Sequence, residues 1–369
     1  MKVALVYDRV NKWGGAERDL LTLHELFPDA PLYTSLYSLQ GAPWAKVFPK
    51  VVPSFLQKIP FLPKRHEYLG TFMPLAFESF DFSEYDLVVS VTSEAAKGII
   101  TKPRTRHICF CLTPTRYLWS GYNNYFKGPT FKAIAATAVS YLRKWDKIAA
   151  QRPDLLVAIS STVQARIKRY YQRDSLLIHP PVDVSFFKKP SLNTTILYSN
   201  VVNANSPFFL LVSRLVPYKR ADLAVEVFNK LGLPLIIVGK GSEESRLKKM
   251  AKGNIKFLGK LTDSKLSNYY SKARALIFPQ EEDFGKVVVE AHAAGTPTVA
   301  YKAGGALDTV IEGANGVFFE KQTVAGLTKA VKDFEKMSFD RGKIVESAER
   351  FSKDVFKNKF LEVVNNFNG

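Results

Sequence analysis

Residues 280–297 read QEEDFGKVVVEAHAAGTP, and in them Glu282 and Glu290 stand eight positions apart around a loop-to-helix switch that opens at Gly285 and closes at Gly295. Were the whole interval helical, ~100° per residue would set the two carboxylates about 80° apart on the wheel, with no shared face. The spacing is better served by Glu282 in a loop and Glu290 in the helix. A helix that begins near Gly285 aims its unpaired backbone N–H groups and the positive end of its dipole at whatever that loop holds, which favours a phosphate. Two acids beside a phosphate would then bind neutral hydroxyls, not the anion.

Working outward, the second half of the chain supplies the rest of such a pocket. PFFLLVSRLVPYKR at 207–220 is an apolar strand followed by Arg214 and Lys219 on a loop. Two fixed cations at the carboxyl end of a strand suit a pyrophosphate, because charge-assisted hydrogen bonds are the strong ones. PLIIVGKGSEE at 234–244 is a short buried strand ending in Gly239 and Gly241, which let backbone approach a ligand closely. NIKFLGKL at 254–261, RALIFP at 274–279 and PTVAYKAGG at 297–305 continue the series, with helical stretches between them. Strands alternating with helices imply a parallel sheet and ligands outside the strands' carboxyl ends.

These motifs resemble the donor-binding domain of family 4 retaining glycosyltransferases over residues 207–320. The family's E-x7-E pattern corresponds to Glu282 and Glu290, accompanied by Arg214 with Lys219, by the G-x-G turn of Gly239 and Gly241, and by a GG-x3-[ED] loop at Gly304, Gly305 and Asp308. In the first half, VALVYDRVNKWGGAERDLL (3–21), CLTPTRYLW (111–119) and AISSTVQARIKRYY (158–171) resemble further family segments, and HPPVD (179–183) resembles the interdomain link. The resemblance spans nearly the whole chain and is nearest to bacterial mannosyltransferases of surface-polysaccharide assembly. It implies the α/β GT-B architecture, two Rossmann-like doubly wound parallel-sheet domains facing across a cleft that holds the ligand.

The resemblance also implies the chemistry. A hexose, mannose from GDP-mannose, moves with retention of configuration to a hydroxyl of a glycan or lipid-linked glycan, with no metal and no cofactor beyond the donor itself. Arg214 and Lys219 stabilise the leaving diphosphate. Glu282 with the backbone of Phe284, Gly285 and Lys286 grips the sugar, and Glu290 accepts from the ribose. Gly14 and Gly15 let backbone reach the donor phosphates or the acceptor, and Gly239 and Gly241 line the donor side. Glu282 and Glu290 are not a glycosidase pair, which would stand about 5 Å apart at the anomeric carbon; here the leaving phosphate oxygen takes the acceptor's proton on the face it departs from.

Two positions depart from the family. Leu112 in CLTPTRYLW stands where the family usually has a His contacting the donor sugar, which leaves Thr113 and Arg116 as candidate sugar or acceptor contacts. Lys286 replaces an apolar residue at the start of the site helix. Leu112 motivates one alternative, a catalytically silent GT-B protein that binds sugar nucleotides as a scaffold. A sugar-nucleotide epimerase of the same fold is the other, but acids poised near C2 are not identifiable in the sequence.

Composition agrees. The 369 residues, 46% hydrophobic and 13% aromatic, are enough for two domains with separate cores. MKVALVYDRV turns polar by Asp8, and apolar runs stay short of the ~18–20 residues of a membrane span, so neither a signal peptide nor a spanning helix is expected. Cys109 and Cys111 are spaced to share one strand face and are expected to be reduced core thiols of a cytoplasmic protein. The five histidines are scattered and do not form metal-ligand spacing.

Charge is uneven. The net +18 is concentrated between Thr101 and Arg173, where 14 Lys and Arg face the two acids Asp146 and Asp154, a surplus of +12. FKAIAATAVSYLRKWDKIAAQ at 131–151 reads as an amphipathic helix with two open readings: a basic face carrying Trp145 against an anionic bilayer at the inner face of the plasma membrane, or a solvated face with Trp145 partly in the core. Recognition motifs and basic tails are missing, so nucleic acid is not an expected partner. The expected division is an acceptor-binding domain at 1–185, a Pro-rich hinge at 179–195, a donor-binding domain at 186–344, and a terminal helix at about 345–369 crossing back with Phe351, Val355, Phe360 and Val363 as its apolar stripe.

Overall fold

A computed structural model describes residues 1–59, 70–126, 128–188 and 207–366. The chain forms two compact units, Met1–His179 with Lys359–Gly369, and Pro180–Asn358. In the first, β1 (Val3–Tyr7), β2 (Leu32–Thr34), β3 (Val51–Pro53), β4 (Leu87–Thr92), β5 (Arg106–Cys111), β6 (Leu155–Ala158) and β7 (Leu176–Leu177) form one sheet in the order β3-β2-β1-β4-β5-β6-β7. In the second, β8 (Phe208–Val212), β9 (Leu235–Val238), β10 (Ile255–Gly259), β11 (Ala273–Phe278), β12 (Thr298–Tyr301) and β13 (Gly316–Phe319) are ordered β10-β9-β8-β11-β12-β13. Every pairing in both sheets is parallel. Continuous apolar runs such as LVVSVT, buried at every position of β4, are what parallel strands covered on both faces require.

Three strands were not anticipated. β2 and β3 have only three residues each, too short for a periodic signal, β13 has four, and β3 closes the sheet edge with Pro53, where a missing N–H is tolerated. The strand expected at 175–179 shrinks to the two exposed residues of β7. Cys109 and Cys111 are free and buried on β5.

The division falls at His179/Pro180 instead of 185/186, and physical contacts account for it. Val182 N–H donates to Phe351 O at 2.9 Å, Asp183 pairs with Lys353 at 3.0 Å, and the Phe187 ring lies 5.8 Å from Tyr270, all inside the second unit. Part of the expected hinge is therefore a docked helix, Val184–Lys188; residues 189–195 of it lie outside the described residues. The single terminal helix expected at about 345–369 is two, Arg341–Glu349 and Lys353–Asn366, the first restarted by the Asp340 cap on Gly342 and Lys343 N–H. The buried stripe of the last helix is Phe356, Phe360 and Val364, with Phe351 just before it; Val355 and Val363 are only half-buried. Phe360 lies 6.5 Å from both Phe27 and Phe110 in the first unit.

The basic amphipathic stretch is the helix Pro129–Ala149. Of the two readings for Trp145, the core wins: its ring packs against the Phe77, Phe82 and Ala96 cluster and its N–H donates to Glu78 at 2.7 Å.

Among the described residues, one buried histidine in each unit makes stability pH-dependent. His107 lies 2.7 Å from Ser90 Oγ and His292 lies 3.1 Å from Thr298 Oγ1, and burial, aided by Arg152 and Arg350 respectively, pushes each ring down to about 3. Against ~6.5 in an unfolded chain, the folded state binds fewer protons across that window, so stability is present above ~6.5 and is lost as pH falls towards 3. Urea unfolding at pH 7 and pH 5 should show each unit losing about 2 kcal/mol. His292→Gln should flatten the second unit's dependence alone.

Candidate functional site

In the second unit the carboxyl edges of four adjacent parallel strands, β9-β8-β11-β12, carry the candidate residues. Arg214 and Lys219 follow β8, Gly239 and Gly241 follow β9, Glu282 to Lys286 follow β11, and Gly304, Gly305 and Asp308 follow β12. Lys219 sits in the turn Pro217–Lys219, 6% exposed, and its Nζ is ion-paired with Glu282 Oε1. Arg214 is exposed and donates to Tyr218 Oη at 2.7 Å. Gly305 N–H donates to Glu282 O at 2.9 Å, which pins the Glu282 loop to the loop after β12.

Two glycines are dictated by backbone. Gly239 has φ +142°, and a Cβ there would collide with Ser213 O, so a side chain would force apart the turns after β8 and β9. Gly285 has φ +88° and is the N-cap of the helix Lys286–Ala293, with the Phe278 ring where a Cβ would stand. The chain thus turns sharply from the Glu282 loop into the helix. Phe284 is buried against Phe351, ring centroids 5.4 Å apart, and Lys286 is half-buried at the first helical position. Glu290, 4% exposed, lies inside the helix and accepts from Tyr270 Oη at 3.0 Å.

In the first unit the carboxyl edges of β1, β4 and β5 are adjacent. Asp8, just after β1, accepts from Thr92 Oγ1 and from the N–H groups of Ser93, Ala95 and Ala96 at 2.7–2.9 Å, fixing the turn after β4. That turn presents Glu94, which accepts from Arg9 Nη2 at 2.7 Å and from Tyr117 Oη at 3.1 Å. Burial pushes the Glu94 carboxyl up despite Arg9. Gly14 caps the helix Gly15–Leu26 in extended conformation, a Cβ there coming within 3.0 Å of Glu17 Oε2, and buried Glu17 accepts from Tyr7 Oη at 2.7 Å. After β5, Leu112 is buried, Arg116 is half-buried, and Thr113 is 3% exposed with no hydrogen-bond partner for its Oγ1.

The chain is similar to known proteins. The glycosyl transferases group 1 family model matches residues 194–355. An uncharacterized glycosyltransferase of Methanocaldococcus jannaschii is 24% identical over 216 residues, 57% of this chain and 58% of its own length. A GDP-mannose-dependent alpha-mannosyltransferase of Corynebacterium glutamicum is 30% identical over 132 residues, 34% of this chain and 32% of its own length. The matches thus span from about a third to somewhat over half of these relatives. The structure of Anabaena HepE in complex with UDP and glucose superposes with a TM-score of 0.69 at 21% identity, covering 99% of both chains. The fold is GT-B.

Within the second GT-B domain, the structure brings together Arg214, Lys219, Gly239, Gly241, Glu282, Phe284, Gly285 and Lys286, with Glu290 one helical turn behind. Gly14, Gly15, Thr113 and Arg116 belong to the first domain. Sequence reasoning missed Glu94 and Tyr270. Glu94 carried a readable signal, a Ser-Glu pair straight after the apolar run of β4; Tyr270 carried none, because its partner is 20 residues away on another helix.

Proposed function

We propose that this chain is a metal-independent retaining glycosyltransferase that moves a hexose, mannose from GDP-mannose, to a hydroxyl of a glycan or lipid-linked glycan. The observation that carries the proposal is the buried Lys219 paired with Glu282 among the carboxyl-edge loops of the second domain. In this reading Arg214 and Lys219 take the diphosphate, Glu282 and the Phe284–Lys286 backbone grip the transferred sugar, and Glu290, oriented by Tyr270, accepts from the ribose hydroxyls. The glycines at 239 and 241 bring backbone to the donor. The bond from the anomeric carbon to the phosphate oxygen breaks, the bond to the acceptor oxygen forms on the same face, and the acceptor's proton passes to the departing phosphate oxygen. Catalysis is then positioning and charge stabilisation.

Gly14 and Gly15 are assigned to the acceptor or donor phosphates, and Thr113 and Arg116 to sugar or acceptor contacts; the partnerless Thr113 hydroxyl supports that assignment. The helix Pro129–Ala149 exposes Tyr141, Lys144, Lys147 and Ile148, an amphipathic basic face suited to an anionic inner leaflet. No helix among the described residues is long and apolar enough to cross a membrane. Failure to cosediment with phosphatidylglycerol vesicles at low salt would remove the membrane part of the reading.

The decisive test is a thermal-shift panel of GDP-, UDP-, ADP- and dTDP-sugars, followed by incubation of the active donor with acceptor and assignment of the product's anomeric configuration. A ligand at 100 times its dissociation constant should add ~2.7 kcal/mol of stability. Stabilisation by GDP-mannose and a retained product are expected. Binding without hydrolysis or transfer would favour the scaffold reading that Leu112 motivates, and no shift with any nucleotide would overturn the donor site.

A further inference from the structure

Gln280 lies two residues after β11 and two before Glu282, and it is 1% exposed. Its side-chain Oε1 is buried without a hydrogen-bond partner. Native proteins bury few such atoms, because the amide loses its water and gains nothing in return. Among the described residues of the second unit, the other buried side-chain atoms without a partner are on helices, at Ser267, Asn268, His292 and Thr328; Gln280 stands at a strand's carboxyl edge.

The chain is anchored on both sides of Gln280, at Pro279 and at Glu282. Gln322 Nε2 donates to Pro279 O at 2.7 Å, and Gly305 N–H holds Glu282 O at 2.9 Å. The backbone is therefore fixed on either side, and the buried amide oxygen has no protein donor. Such an oxygen needs a hydrogen-bond donor from outside the chain. An ionised diphosphate offers only acceptors; sugar hydroxyls offer donors.

We infer that Gln280 is a further specificity-determining contact of the donor site, its amide oxygen accepting from a hydroxyl of the transferred sugar beside Glu282. The inference rests on the proposed reading that Glu282 grips that sugar. It adds a neutral acceptor to the Glu282 carboxylate, so that the sugar is read by two groups of different charge.

The test uses Gln280→Met and Gln280→Leu, apolar side chains of similar bulk, on the full chain. Melting temperature without ligand is measured first, then the dissociation constants of GDP-mannose and of GDP. The expected result is a melting temperature equal to or above that of the native protein, a GDP affinity unchanged within about twofold, and a GDP-mannose affinity weaker by roughly ten- to a hundredfold. A large fall in melting temperature in both variants would mean that Gln280 serves the fold, and equal weakening of both ligands would mean that it faces the nucleotide; either overturns the sugar contact. Unchanged GDP-mannose affinity in variants of a native protein that binds it overturns the contact alone. A native protein that binds neither ligand removes the functional reading and the contact with it.

Discussion

Replacing Lys219 by alanine is expected to lower turnover by roughly 10²–10³ at saturating donor. Lys219 is the buried cation of the site, and its charge is aimed by the turn Pro217–Lys219 and by Glu282. In the proposed reaction negative charge grows on the leaving diphosphate as the glycosidic bond stretches, so a fixed cation gains more in the transition state than in the bound ground state. The loss should therefore appear in kcat more than in KM. Arg214→Ala should cost less, since Arg214 is exposed and water replaces part of its interaction. Initial rates of sugar release, with melting curves to establish that Lys219→Ala remains folded, decide the matter. Turnover within twofold of native in a folded variant would remove Lys219 from the machinery.

The largest stability effect is expected at Asp146, far from that site. Its carboxylate, buried in the helix Pro129–Ala149, is 2.6 Å from Lys97 Nζ and accepts from Thr115 Oγ1 at 2.9 Å, Trp119 Nε1 at 2.7 Å and Tyr171 Oη at 2.8 Å. These bonds tie that helix to the loop bearing Thr113 and Arg116. Asp146→Ala leaves Lys97 charged and unpaired at 1% exposure, and removing one partner of a buried pair costs about 3–5 kcal/mol. The pH response supplies a sign that cavity formation alone would not. Burial pulls Lys97 down, but Asp146 outweighs it and the net shift is upward. The native pair's contribution is thus fully present below ~10.5 and is lost as pH rises through the folded value. Without Asp146, burial is opposed only by the smaller upward pull of Cys111 and Asp8, so the variant should recover stability between pH 7 and pH 10 while the native protein does not. Urea unfolding followed by tryptophan fluorescence, with Trp119 beside the mutation, reads both; a deficit that is the same at the two pH values would refute the account.

Much of the fold was legible because parallel strands buried on both faces leave unbroken apolar runs, and the loops that end them carry Gly, Arg, Lys and Glu where only ligand chemistry or positive φ requires them. Gly239 and Gly285 illustrate this: the residue type alone marks a backbone turn that a side chain would block. The split of Glu282 into a loop and Glu290 into a helix followed from helical geometry. What stayed hidden depends on partners distant in sequence. Asp146 entered the sequence reading only as one of two acids in a basic stretch, and its buried partner Lys97 stands 49 positions earlier. Trp145 fitted a bilayer as well as a core until Glu78 claimed its N–H. The last helix misled because its stripe was read from Val355 and Val363, whereas the faces it must cover select Phe356 and Val364.

Local sequence thus determined most of the longer elements, where the carboxyl edges of the site strands fall and which residues of chemical interest stand there, since periodicity, turn conformation and charge are properties of neighbours along the chain. Only the tertiary structure decided that Lys219 meets Glu282, that Tyr270 holds Glu290, and that the Gln280 amide is sealed without a donor. Burial and hydrogen-bond satisfaction depend on which distant side chains share a volume, and a single strand of residues does not contain that volume.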